Sequence, residues 1–103
     1  MEKIEQLKSY LVRSPDDSFL KHALALEYIK MGRDELAKDL FVEILTRDPS
    51  YIGTYYHLGR LLERSGEMAA AKSWFEKGMA ASKSAGDPHS YQELLAAYED
   101  LID

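Results

Sequence analysis

The stretch YYHLGRLLERSG, Tyr55 to Gly66, decides the fold. It reads as a helix for four residues and then places Gly59 where a helix former belongs, at a cost of roughly 1 kcal/mol relative to alanine. A glycine kept at that cost answers a close approach from another element. The stretch closes on Gly66, directly after a periodic apolar run, where a glycine just past the last turn stops a helix.

Working outward, the same features recur 34 residues apart. Leu11 pairs with Leu45, Arg13 with Arg47, Pro15 with Pro49, Leu24 with Leu58, Gly32 with Gly66, Ala37 with Ala71, Lys38 with Lys72 and Phe41 with Phe75. Chance matches in chains of ordinary composition occur at about one position in 16, so this density marks an internal repeat. The small residues Ala25 and Gly59 also correspond, one in each unit. They predict that the first helix of each unit meets the second at close range, with backbones touching opposite Ala37 and Ala71.

The breakers divide each unit into two helices. Pro15 and Pro49 end one helix, and Asp16, Asp17, Ser18 and Ser50 supply caps for the next. Gly32 and Gly66 mark the turn inside each unit. The predicted helices are 1–13, 18–31, 34–47, 52–65, 68–82 and 88–102, and no segment alternates like a strand. The last helix aligns with the earlier first helices at a shift of 36, pairing Tyr55 with Tyr91 and Leu58 with Leu94 across a longer loop, SKSAGDP. Asp87 before Pro88 starts it, and Gln92, Glu93, Glu99 and Asp100 are expected on its solvated face. The opening helix fits the second-helix register through Leu7 and Leu11.

These residues resemble the tetratricopeptide repeat family, whose large–Leu–Gly–aromatic, Ala, aromatic, Pro series recurs on the same period. The matches are Leu24, Ala25, Tyr28, Gly32, Ala37, Phe41 and Pro49 in one unit, and Tyr55, Leu58, Gly59, Leu62, Gly66, Ala71 and Phe75 in the next. Departures are Lys83 where proline is expected and Lys21 in place of a large apolar residue. The resemblance implies an all-α, right-handed α-solenoid of antiparallel helix hairpins, with about six helices. The expected organisation is a single domain over 1–103, with a half-unit helix at 1–17, repeats at 18–51 and 52–85, and a capping helix at 86–103. The chain reads either as a complete small protein or as a piece of a longer array.

Composition narrows the classes of function. Charged residues are 30% and hydrophobic residues 46%, an ordinary globular balance. No cysteine is present, which removes disulfides and thiolate zinc sites. The N-terminal MEKIEQLKSYLVRS carries charges throughout and is expected to be neither a signal peptide nor a membrane span. A cytoplasmic setting and no membrane association are expected. The net charge of −5, with signs interspersed, argues against phosphate-backbone binding and hence against nucleic acid. His22, His57 and His89 lack the spacing of a helical metal site. No catalytic or nucleotide-binding motif occurs, so no enzyme activity, cofactor or metal is expected.

The resemblance implies a protein- or peptide-binding module, an adaptor or scaffold, whose groove is lined by successive first helices. The corresponding positions are Phe19, His22, Leu26, Ile29 and Lys30, then Gly53, Tyr56, Arg60, Glu63 and Arg64, then His89, Gln92, Ala96, Glu99 and Asp100. One subclass of the family grips chaperone-tail carboxylates with lysine and asparagine where this chain has His22 and Leu26, so that clamp is not expected.

Independently, helix 18–31 carries a core stripe of Leu20, Leu24, Tyr28 and Met31 and a second apolar stripe of Phe19, Leu26 and Ile29. Either a neighbouring helix covers the second stripe, helix 1–13 among them, or a partner docks there with an acidic group reaching Arg60 or Arg64. The alternative classes are a self-associating assembly unit and, further off, an RNA-binding helical repeat.

Overall fold

The computed structural model describes residues 2–103. Met1, where the first predicted helix and the predicted domain begin, lies outside the described residues. The described residues fold as six helices: α1 Lys3–Arg13, α2 Ser18–Lys30, α3 Asp34–Arg47, α4 Gly53–Arg64, α5 Met68–Ala85 and α6 Pro88–Ile102. No strand occurs among the described residues. Among them, too, no helix is long and apolar enough to cross a membrane. Contacts divide the helices into two units, one ending at Asp48 and one running from Pro49 to Asp103.

In the first unit, α2 packs against both α3 and α1. Asp17 caps α2, its Oδ1 accepting from the Leu20 backbone N–H at 3.0 Å. The α2–α3 turn is a Schellman ending: Gly32 has φ +73°, its N–H donates to Ile29 O, and the Arg33 N–H reaches back to Tyr28 O at 2.8 Å. Leu24, Ala25, Ala37, Phe41, Ile44 and Leu45 form the core, with Leu7 closing it from α1. Lys21, where the repeat pattern wants a large apolar residue, is buried along its stem, and its Nζ reaches the half-exposed Glu43 at 3.1 Å.

The predicted stripes of α2 need revision. Met31, expected in the core, is 58% exposed, because the chain already leaves the helix at that residue. Of the second stripe, Leu26 and Ile29 are half-buried while Phe19 remains 68% exposed. α1 lies against this helix, and Lys3 reaches Glu27 at 3.5 Å.

In the second unit, α5 packs against both α4 and α6. Tyr55, Leu58, Leu61, Leu62, Ala71, Phe75, Leu94 and Ala97 form its core. The gap at Gly59 is filled by a ring rather than by backbone. An ideal β-carbon there would overlap Phe75, with Cδ1 at 2.5 Å and Cζ at 2.6 Å. A second close approach escaped the sequence reading. A β-carbon on Gly78 would stand 2.6 Å from Tyr55 Cβ and 2.9 Å from Leu94 Cδ1, so this glycine lets α5 lie against α4 and α6 together.

Lys83 also has a structural consequence. With no proline to stop it, α5 runs three residues past its predicted end, from 82 to 85. The extra length is helix and not loop. Only Gly86, at φ +67°, and Asp87 separate α5 from α6. Asp87 then caps α6, accepting from the Ser90 N–H at 3.1 Å and the Ser90 hydroxyl at 2.8 Å.

Candidate functional site

Within the second unit, α4 and α6 both occupy the first-helix register and touch each other. Between them opens a cleft of about 320 Å³, lined by Ile52, Gly53, Tyr56 and His57 on one side and Ser90, Glu93 and Leu94 on the other. Gly53 is the one glycine of the lining. A β-carbon at this position would meet nothing within 4 Å, and the residue has no unusual φ, so the missing side chain leaves open space.

Below the cleft, Arg60 is tied into its own helix. Its Nε donates to the Tyr56 hydroxyl at 3.2 Å and its Nη1 to Glu63 Oε1 at 3.0 Å. The guanidinium also sits 5.3 Å from the Tyr56 ring centroid. The Tyr56 hydrogen bond first, then that of Glu63, holds the Arg60 pKa above its ordinary value. The acidic group that the sequence reading aimed at Arg60 would therefore compete with a carboxylate already in place.

The Tyr56 and His57 rings meet edge to face at 5.8 Å. Burial depresses the His57 pKa, with the charge of Glu93 working against that shift. The imidazole is consequently neutral at neutral pH. His89 approaches Glu93 at 3.8 Å, with both side chains solvent-exposed.

The structure brings the sequence-predicted positions together only in part. Gly53 and Tyr56 line the cleft. Glu63 serves Arg60, while Arg64, His89 and Gln92 lie exposed on α4 and α6 without lining it. In the first unit, Phe19 and Lys30 are exposed, and Lys30 pairs with Glu27 at 3.1 Å. His22 is half-buried with its ring 5.4 Å from Phe41, which makes it partly a packing residue. Leu26 and Ile29 are half-buried as well.

Five cleft residues were missed as site residues: Ile52, His57, Ser90, Glu93 and Leu94. Using one register for both helices selects the same flank on each, yet two neighbouring helices turn opposite flanks toward the cleft they share. One residue of shift, about 100° of rotation, carries the α6 wall from Gln92 to Glu93. The adjacency of His57 to Tyr56 and of Glu93 to Gln92 was the available signal.

Comparisons with known proteins agree with this architecture. The family model described as tetratricopeptide repeat matches residues 20–51 and 52–84, more than half of the chain. A TPR repeat-containing protein of Pseudomonas aeruginosa is 28% identical over 98 residues, 95% of this chain and 93% of that protein. The crystal structure of a tetratricopeptide repeat domain protein from Salinibacter ruber is 35% identical, with a TM-score of 0.79 over 84% of this chain and 96% of that one. The TPR2B domain of yeast Sti1, solved in complex with pHsp70, is 15% identical with a TM-score of 0.88 over 96% of this chain and 79% of that one, a likeness of fold alone.

Proposed function

Because the chain belongs to the tetratricopeptide repeat family, we propose that it is a non-enzymatic protein-interaction module that holds a peptide or a segment of a partner protein against its first-helix surfaces. The observation that carries this reading is the α4–α6 cleft, lined by Gly53, Tyr56 and Glu93, with open space at the Gly53 β-position. The mechanism is preorganisation. Tyr56 is braced by Arg60 and by His57 before any ligand arrives, so little ordering remains to oppose binding. A preformed cleft with a few convergent polar groups is the usual form of a recognition site. The yeast Sti1 domain of the same fold was solved as a complex with pHsp70, which supports the general mode and not a shared ligand.

A photo-crosslinking amino acid placed at Tyr56 or Gln92, with Ser73 on the exposed side of α5 as control, tests the reading. A partner trapped from Tyr56 or Gln92 and not from Ser73, whose purified form binds about tenfold more weakly to Gly53→Leu, supports it. Trapping from Ser73 alone rejects it.

A second reading, self-association, is favoured by the exposure of Tyr10 and Val12 on α1 and of Ile102 on α6. Light scattering that returns a monomer at high concentration removes it.

A further inference from the structure

The cleft walls contain one carboxylate, Glu93, and neither lysine nor arginine. Beyond Lys83 the chain has no lysine or arginine at all, so α6 and its cap carry only Asp87, Glu93, Glu99, Asp100 and Asp103 as fixed charges. On the opposite wall, the nearest cation of α4 is already neutralised, because Arg60 is bound by Glu63 and by the Tyr56 hydroxyl. His57 presents a neutral ring, since burial disfavours its imidazolium. His89, the remaining ionisable group beside Glu93, stands 3.8 Å from it and is exposed to solvent.

From this charge arrangement we infer that the α4–α6 cleft receives a cationic side chain, a lysine or arginine on a partner peptide, flanked by apolar residues. The inference rests on the peptide-binding reading above and specifies its chemistry. Glu93 accepts the incoming N–H donors at the rim. Tyr56, Ile52 and Leu94 supply apolar wall for the aliphatic stem. The volume, about 320 Å³, lies at the small end of ligand sites and suits one side chain rather than a helix. An acidic anchor meets Glu93 instead and finds no uncompensated cation on either wall.

The test is a titration of the isotope-labelled full chain with three blocked pentapeptides of sequence Gly-Leu-X-Leu-Gly, where X is arginine, glutamate or norleucine, following the amide signals of Gly53, Ser90 and Glu93. The arginine peptide is expected to shift these signals at a concentration about tenfold lower than the glutamate peptide. Glu93→Gln should bring its affinity down to that of the norleucine peptide, and Gly53→Leu, which fills the cleft, should abolish the shifts. Thermal melts of both variants establish that they fold.

Equal or tighter binding of the glutamate peptide overturns the cationic assignment and leaves the peptide-binding reading standing. An unchanged arginine-peptide affinity in a folded Glu93→Gln variant does the same. Absence of shifts at the cleft with every peptide overturns the assignment; joined to crosslinking from Ser73 alone, it overturns the peptide-binding reading as well.

Discussion

The ring of Phe75 stands where a β-carbon on Gly59 would have to go. Gly59 is thus kept for its emptiness. Gly59→Ala should lose about 1–3 kcal/mol from overpacking, although alanine is intrinsically the better helix former by roughly 1 kcal/mol. Because the obstacle is the far edge of a ring, Phe75→Leu in the Gly59→Ala background should recover part of the loss, giving a coupling of about 0.5–3 kcal/mol in a double-mutant cycle. Urea melts measure both. An unchanged midpoint for Gly59→Ala would contradict the packing.

Gly78 presents the opposite case. The nearest obstacle to its β-carbon is the β-carbon of Tyr55, which every residue but glycine possesses. Gly78→Ala should also cost about 1–3 kcal/mol. Here truncating Tyr55 to alanine should give no rescue, since the clash survives the truncation. The corresponding positions of the first unit are Ile44 and Lys21, both buried, with the larger core side chain on the other helix of the pair.

Ser82 is fully buried, and its hydroxyl has no hydrogen-bond partner among the described residues. A buried unsatisfied polar group costs about 1–3 kcal/mol. Ser82→Ala should therefore be neutral or stabilising by up to about 1 kcal/mol, unlike most core substitutions. A lower melting temperature would show that the hydroxyl is satisfied in solution.

Acid should weaken the fold in two separate windows. Burial places the folded-state pKa of His57 below its ordinary 6.5, so the residue is neutral in both states above that pH and carries no penalty there. As pH falls below 6.5, the unfolded chain takes up a proton that the folded chain resists, and stability declines until the folded pKa is passed. Asp87 acts lower. The Ser90 backbone N–H, then its hydroxyl, hold the Asp87 carboxyl below its ordinary 3.8, so its contribution is present above 3.8 and is lost as pH falls through the still lower folded value. His57→Gln should erase the upper window and leave the lower one, as read by urea midpoints on either side of pH 6.5.

Much of the architecture was legible because its determinants are local. Pro15 and Pro49 forbid helix, Asp17 and Asp87 cap the next one, and Gly32 and Gly66 take the left-handed conformation at +73° and +82°. Five of the six helices fall within two residues of their predicted bounds. The exception, α5, overran where Lys83 replaced the expected stop. Site residues were less legible. Arg60 was read as an available cation because nothing in one dimension tells whether Glu63 and Tyr56 will reach it first.

By itself the amino-acid sequence determined the repeat period, the helices and, the C-terminal end of α5 apart, their ends, and the small residue Gly59 at a tight crossing. Those follow from backbone sterics, capping and apolar spacing, all of which act over a few residues. The tertiary structure alone decided that Phe75 fills the space at Gly59, that Gly78 lies against both Tyr55 and Leu94, and that Glu93 rather than Gln92 faces Tyr56 across the cleft. Each of these depends on the rotation of one helix about its axis relative to a neighbour. A rotation of one residue's worth, about 100°, exchanges the side chains at a contact without altering any local signal.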